Sequence, residues 1–118
     1  KVFLKELVTD TPPVYRLGWG ADFPDPDNFM NLFTSSSANN HTGWSDARYD
    51  ALIARAARES GSAVRQALYD DAQRILCEEQ VPIIPFFVSA LNLAVAPRVE
   101  GFELNAMDLY FLDRVKAN

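Results

Sequence analysis

Three aspartates within six residues are the first candidates for chemistry in this chain. Asp22, Asp25 and Asp27 alternate with prolines and follow Trp19, which ends an apolar stretch. Clustered carboxylates suit a hard cation, but the spacing is not that of an EF-hand, and the prolines hinder the chain from wrapping around an ion. The pattern therefore favours helix-start and solvated loop roles for Asp25 and Asp27 over a metal site.

Asp22 differs from its neighbours because it lies three residues after Trp19, where a carboxylate could be partly desolvated. A buried carboxylate needs a cationic or hydrogen-bonding partner. A ligand ammonium group at ~4 Å would attract it by roughly 4 kcal/mol at an effective dielectric of about 20, before desolvation is subtracted. Hydrogen bonds from nearby backbone amides would also satisfy it. The residues alone leave both alternatives open.

No nucleophile system of known type is visible in the sequence, because Ser35, Ser36 and Ser37 have no recognisable base partner. His41 is the only histidine and lies in a polar loop, where a solvated side chain is the ordinary outcome. The chain has no G-x-S-x-G elbow, no H-E-x-x-H motif and no P-loop. Cys77 is the single cysteine, so no intrachain disulfide can form, and its apolar neighbours favour a small, partly buried residue. We therefore predict a protein that is not an enzyme and uses no cofactor.

Composition and charge restrict the partners. Hydrophobic residues make up 48% of the 118 residues and charged residues 23%, which is typical of an ordered globular protein. The formal net charge of -5, without a basic cluster, argues against nucleic acid. No apolar run approaches the roughly 18 residues that a membrane span needs. The first residues resemble the end of a helix whose start is missing, so we expect a fragment of a longer protein.

Hydrophobic periodicity predicts four helices. The first covers 2–8, and the second is short, with Asp25 as its cap and Pro26 in its first position. Ser45 opens the third and Ser62 caps the fourth, and these two should form an antiparallel hairpin across a short turn. Their buried faces are predicted to contain Tyr49, Leu52, Ile53, Ala56 and Ala57 in the third helix and Val64, Leu68, Ala72, Ile75 and Leu76 in the fourth.

Strands are predicted at 14–20, 82–88, 91–96 and 109–115. The first would deliver Trp19 into the loop that holds the aspartates. The second is continuously apolar, as in a strand buried on both faces, although Pro85 indicates a bend or an edge position. A break is predicted at 105–108. The order of elements, with helices between strands at the two ends, predicts an α/β or mixed α+β fold.

The loop and the stretches after it carry a resemblance to a known family. They are LGWGADFPDPDNF at 17–29, NNHTGW at 39–44, YDALI at 49–53, VPIIP at 81–85 and VEGF at 99–102, with Arg65, Tyr69 and Ala72 between. In this order they resemble the bacterial extracellular solute-binding proteins of the oligopeptide and dipeptide class, the receptors of peptide-importing ABC transporters. The resemblance implies a periplasmic-binding-protein type II fold, whose two lobes close over a ligand. This chain would be its C-terminal portion, with 1–98 in the C-terminal lobe and 99–118 returning to the other lobe.

The resemblance also implies a site and partners. In peptide-binding members the residue matching Asp22 pairs with the ligand's α-ammonium group, and Trp19, Gly20 and Ala21 would line the same pocket. The implied partners are a peptide and the membrane permease of a transporter, in a periplasmic or extracellular, membrane-associated location. The family also includes receptors for nickel chelates and sugars, so another solute is an alternative, as is a fragment that binds nothing by itself. Surface exposed where a lobe is missing could drive dimerisation.

Overall fold

The computed structural model describes residues 2–105 and 109–117. Within them, the α-helices are α1 (Val2–Thr9), α2 (Asp27–Met30), α3 (Ala47–Ala56) and α4 (Ser62–Arg74). A 3-10 turn, Asn31–Phe33, extends α2, a π-helical turn, Ile75–Glu79, extends α4, and a second 3-10 turn covers Leu112–Arg114. Two short strands, β1 (Val99–Glu100) and β2 (Lys116–Ala117), pair antiparallel with Val99 opposite Ala117.

The core lies between α3 and α4, which pack against each other. Its buried side chains are Tyr49, Ile53, Ala56, Leu68, Tyr69, Ala72, Ile75 and Leu76. All of them except Tyr69 belong to the predicted apolar faces, so the helical hairpin expected from the 3.6-residue period is confirmed. Ala57 and Val64 are exposed instead, because α3 ends before Ala57 and Val64 lies in the first turn of α4, beside the connecting loop.

Local capping sets where the two long helices begin. The Asp46 side chain accepts a hydrogen bond from the Arg48 backbone amide at 2.8 Å and caps α3, so the first helical residue is Ala47, two residues after the predicted Ser45. Gly61 occupies the cap position of α4, and Ser62 is its first helical residue rather than its cap. Both helices therefore exist as predicted, and their boundaries move by a residue or two.

The predicted strands are wrong as regular elements. Residues 14–20, 82–88 and 91–96 have no regular secondary structure, and the stretch 109–115 contains a 3-10 turn. The run at 82–88 was expected to be buried on both faces, yet Phe86 is 87% and Val88 96% exposed. The predicted break at 105–108 lies, apart from Asn105, outside the described residues.

The missing strands have a physical cause in the nature of a sheet. A strand persists only where a neighbour shares its backbone hydrogen bonds. The Arg16 guanidinium lies 5.4 Å from the centre of the Phe87 ring, so the stretches 14–20 and 82–88 approach each other. No backbone hydrogen bond joins these two stretches in the part of the chain that the structure describes. Pro85 also lacks the amide donor that a ladder requires.

The fold class remains a mixture of helices and a small sheet, which is consistent with the expected α/β class. Over residues 2–105 and 109–117, no helix has both the length and the apolar character needed to cross a bilayer. Side-chain hydrogen bonds attach the loop that carries the aspartates, and the short helix α2 that follows it, to the helical hairpin. The Tyr49 hydroxyl makes one of these attachments by donating a hydrogen bond to the Met30 carbonyl oxygen at 2.6 Å.

Candidate ligand-binding site

Trp19 is held on one side and open on the other. Its indole Nε1 donates a hydrogen bond to Asn28 Oδ1 at 2.8 Å, and Asn28 is buried at the start of the helical segment. Trp19 nevertheless exposes 41% of its surface. A ring that is fixed through its polar atom while it offers an apolar surface is suited to packing against a ligand.

Asp22 lies exposed, three residues along the chain from Trp19. In the part of the chain that the structure describes, neither a cation nor a backbone amide bonds to its carboxylate. The backbone alternative considered for this residue is therefore not realised among the described residues. Gly20 between them is exposed, and an added Cβ there would meet nothing within 4 Å. Ala21 is partly buried. This edge of the loop is thus accessible to a molecule from outside.

Asp25, unlike Asp22, forms an ion pair, and its partner is Arg65 of α4. The two guanidinium Nη atoms donate to the two carboxylate oxygens at 2.8 and 2.7 Å, a bidentate arrangement. The same carboxylate accepts a hydrogen bond from the Asp27 amide at 2.8 Å at the start of α2, but the cap position belongs to Pro26 and not to Asp25 as predicted. Hydrogen bonding from Arg65, with the Asp27 amide second, lowers the pKa of the Asp25 carboxyl. Pro26 precedes α2 rather than opening it.

Arg65 also ties the loop to both long helices. Its Nε donates to the Ala56 carbonyl oxygen at 3.1 Å, and its Nη2 donates to the Tyr69 hydroxyl at 2.8 Å. The Tyr69 hydroxyl in turn donates to Asp27 Oδ1 at 3.3 Å. A tyrosine hydroxyl is protonated at neutral pH, and burial raises the pKa of the Tyr69 hydroxyl further above its ordinary value of 10.0. Asp25 and Asp27 are thereby engaged with α4. In the described part of the chain, no three metal-ligating side chains converge to hold an ion.

No family model matches the chain. It is 40% identical over 91 residues, 75% of this chain, to a dipeptide-binding protein of Pseudomonas aeruginosa. It is 30% identical over 105 residues, 89% of this chain, to the periplasmic murein peptide-binding protein MppA of Escherichia coli. The chain belongs to the bacterial extracellular solute-binding proteins of the peptide class. It is also 34% identical over 90 residues, 76% of this chain, to the probable deoxycholate-binding periplasmic protein YgiS of Escherichia coli. The chain spans only 17 to 19% of the length of these three relatives.

In this family member, Asn40 rather than His41 organises the loop that follows α2. The Asn40 side-chain amide donates to the carbonyl oxygens of Phe33, Thr34 and Trp44 at 3.2, 3.3 and 2.9 Å. Its Oδ1 accepts a hydrogen bond from the Thr42 hydroxyl at 2.6 Å. Sequence reasoning missed this role, although an asparagine two residues before a threonine in a Ser- and Asn-rich loop is typical of side chains that bond their own backbone.

Among the described residues, the surface includes a smaller and a larger cleft. The smaller, of about 170 Å³, lies beside the Trp19 indole and includes Phe23, Asn31, Ser37 and Asn39, but not Asp22. The larger, of about 370 Å³, lies on the hairpin and is lined by arginines and their acidic partners. Two of those arginines already pair with Glu79 at 3.2 Å each. The cleft that matters for the candidate site is therefore the one that Trp19 borders.

Sequence reasoning also missed Arg65 as a functional candidate. The resemblance to the family included Arg65 only as one of the matching residues, without a role. No local signal in the sequence links it to Asp25, which lies 40 residues earlier. An arginine on the apolar side of a helix, one turn before a tyrosine, is the sole hint that the sequence contains. The two residues that sequence reasoning joined, Trp19 and Asp22, stay on the same loop but make no direct contact among the contacts described above.

Proposed function

We propose that this chain is part of the substrate-binding component of a peptide importer and binds di- or oligopeptides. Asp22 pairs with the ligand's α-ammonium group, and Trp19, Gly20 and Ala21 line the same pocket. The observation that carries the proposal is the Asp22 carboxylate, which is exposed and has no ion-pair or hydrogen-bond partner among the described residues. It lies three residues along the chain from an indole that Asn28 holds in place. The names of two relatives, dipeptide-binding and murein peptide-binding, support the class of ligand.

The proposed mechanism is recognition without chemical change. An exposed carboxylate attracts an ammonium group weakly in water, and the attraction strengthens when a second wall excludes solvent. In the proposed receptor, residues outside this chain supply that wall, residues 1–98 belong to the C-terminal lobe, and 99–118 return to the other. The MppA and YgiS relatives carry the word periplasmic in their names, which supports a periplasmic location. The membrane permease is the proposed partner. The proposed association with the membrane depends only on binding to this permease.

Replacement of Asp22 tests the proposal. In the complete polypeptide that carries these residues, Asp22→Asn should lower the affinity for unmodified di- and tripeptides by about 2–5 kcal/mol, because the α-ammonium loses a desolvated charge partner. The same change at the exposed Asp10 provides a matched control that should leave affinity unaltered. Calorimetry with unmodified and N-acetylated peptides measures both effects. Equal affinity of the Asp22→Asn variant and the parent, with acetylated and free peptides binding alike, would refute the assignment.

A second candidate function follows from the relative named as deoxycholate-binding. Deoxycholate carries a carboxylate, which the unpaired Asp22 would repel, so the geometry favours a peptide over this bile acid. Nickel chelates and sugars find no comparable support among the three relatives named above. Mass spectrometry of ligands that copurify with the complete polypeptide separates the candidates. A copurified bile acid, together with calorimetric binding of deoxycholate, would replace the peptide assignment.

We further propose that the isolated 118-residue chain self-associates. Phe86 and Val88 expose 87% and 96% of their surface, in a stretch whose neighbours are also apolar. Exposed apolar patches of this kind commonly cover themselves by association. Sedimentation velocity should therefore show dimers or larger species of the isolated chain. A monomer over the whole range of measurable concentrations would contradict this.

A further inference from the structure

Arg65 contacts three segments that are distant along the chain. From the first turn of α4, its guanidinium and Nε reach Asp25 in the loop, the Ala56 carbonyl oxygen at the end of α3, and the Tyr69 hydroxyl one turn further along α4. A guanidinium is planar and presents its donors in a fixed fork, so three simultaneous contacts define where each partner lies. The Arg65 and Asp25 side chains are only 26% and 31% exposed, which limits competition from water.

Asp25 connects Arg65 to both candidate ligand contacts. On its N-terminal side, Asp22 is three residues away, and the Asp25 amide donates to the Phe23 carbonyl oxygen at 2.9 Å, which tightens the turn between them. On its C-terminal side, the Asp25 carbonyl oxygen accepts from the Asn28 amide at 3.1 Å. The Asn28 side chain then holds the Trp19 indole. The Arg65 guanidinium therefore holds Asp25, and Asp25 in turn connects the hairpin to both Trp19 and Asp22.

We propose that Arg65 is a positioning residue for the ligand site, and this inference rests on the proposed function. Arg65 does not touch the ligand. It fixes Asp25 against α4, and Asp25 fixes the turn that presents Trp19 and Asp22. Without Arg65, the side-chain hydrogen bond that remains between this turn and α4 among the described residues is the longer one from Tyr69 to Asp27, at 3.3 Å. The loop then samples other arrangements, and the apparent affinity falls by the fraction of time for which the binding arrangement is lost.

A purely structural role must be separated from positioning, because Arg65 also bonds Ala56 and could stabilise the hairpin itself. Asp25→Asn makes that separation. It removes the charge on the loop side and leaves the contacts of Arg65 with Ala56 and Tyr69 in place. Arg65→Met removes all of the contacts. Arg74→Met, on the same helix, breaks exposed ion pairs with Asp71 and Glu79 and serves as the matched control.

The experiment measures loop order and ligand affinity in the complete polypeptide. Hydrogen–deuterium exchange of peptides that cover 19–28 should be about tenfold faster in Asp25→Asn and Arg65→Met than in the parent, while exchange in α3 and α4 of Asp25→Asn stays unchanged. Calorimetric affinity for the tightest binder of a library of unmodified di- and tripeptides should fall by about tenfold or more. Arg65→Lys should recover part of both, since it keeps the charge but loses the fork. Arg74→Met should alter neither.

The outcomes separate the inference from the function on which it rests. Unchanged exchange over 19–28 in both test variants overturns the positioning role, whatever the affinities are. Faster exchange with unchanged peptide affinity overturns the link between the anchored turn and the ligand site. If the parent binds none of the peptides, the proposed function fails, and the exchange data alone decide whether Arg65 positions the loop.

Discussion

The attachment of the loop to the hairpin through Tyr49 leads to a quantitative prediction. Tyr49 is completely buried, its ring meets the Trp44 ring edge-on at 5.2 Å, and its hydroxyl donates to the Met30 carbonyl oxygen at 2.6 Å. Tyr49→Phe keeps the ring packing and removes only the donor. Loss of one partner of a buried hydrogen bond costs about 1–3 kcal/mol, so the free energy of unfolding of the hairpin should fall by that amount at pH 7.

The same variant has a distinctive pH dependence. Burial raises the pKa of the Tyr49 hydroxyl well above its ordinary value of 10.0. Below pH 10 the hydroxyl is protonated in both the folded and the unfolded chain, so its contribution to stability is complete. Above pH 10 the unfolded chain loses this proton while the folded chain keeps it, and the parent loses up to about 1.4 kcal/mol per pH unit from this group. The phenylalanine variant has no such loss, so the difference between the two should shrink as pH rises.

The assay is urea unfolding of the complete polypeptide, read by pulse labelling of Cys77, which packs against the same core. Tyr15→Phe is the control, because the structure records no hydrogen bond for the Tyr15 hydroxyl among the described residues. That control should change the stability of the hairpin by much less at pH 7. A Tyr49→Phe variant as stable as the parent at pH 7, or a stability difference that grows above pH 10, would refute the reasoning.

Further predictions concern the core, the thiol and the small sheet. Ala56→Leu should destabilise the hairpin by about 1–3 kcal/mol because Ala56 is fully buried, whereas the same change at the exposed Ala54 should be nearly neutral in the same urea assay. Burial raises the pKa of the Cys77 thiol, so its alkylation rate in the folded protein should reach half of its maximum above pH 9.0, and a midpoint at or below that value would contradict the packing. Gly101→Ala should disrupt the pairing of β1 with β2, since Gly101 has φ 73° and an added Cβ would collide with the Arg114 carbonyl oxygen; unchanged hydrogen exchange of the two strands would contradict this.

The helical hairpin could be predicted because its information is local. Helix hydrogen bonds join residues four apart, so the apolar spacing of Tyr49, Ile53 and Ala56 already defines the buried face of α3. The start of α2 follows the same logic, because Asp25 bonds the amide two residues on. Trp19 and Asp22 could be named as candidates from their place on the loop. Their role in binding stays a prediction.

The sequence by itself determined the set of helices and the membership of the peptide class of solute-binding proteins. It also determined the local hydrogen bond from the Asp27 amide to the Asp25 carboxylate at the start of α2. Tertiary structure alone decided two other features. The apolar runs do not become strands among the described residues, since a strand depends on neighbours that no local pattern supplies. The carboxylate of Asp25 turns towards α4 because Arg65, 40 residues later in the chain, is the cation that folding brings to it. Interactions between distant residues have no period and no spacing in the sequence, so only the folded chain reveals them.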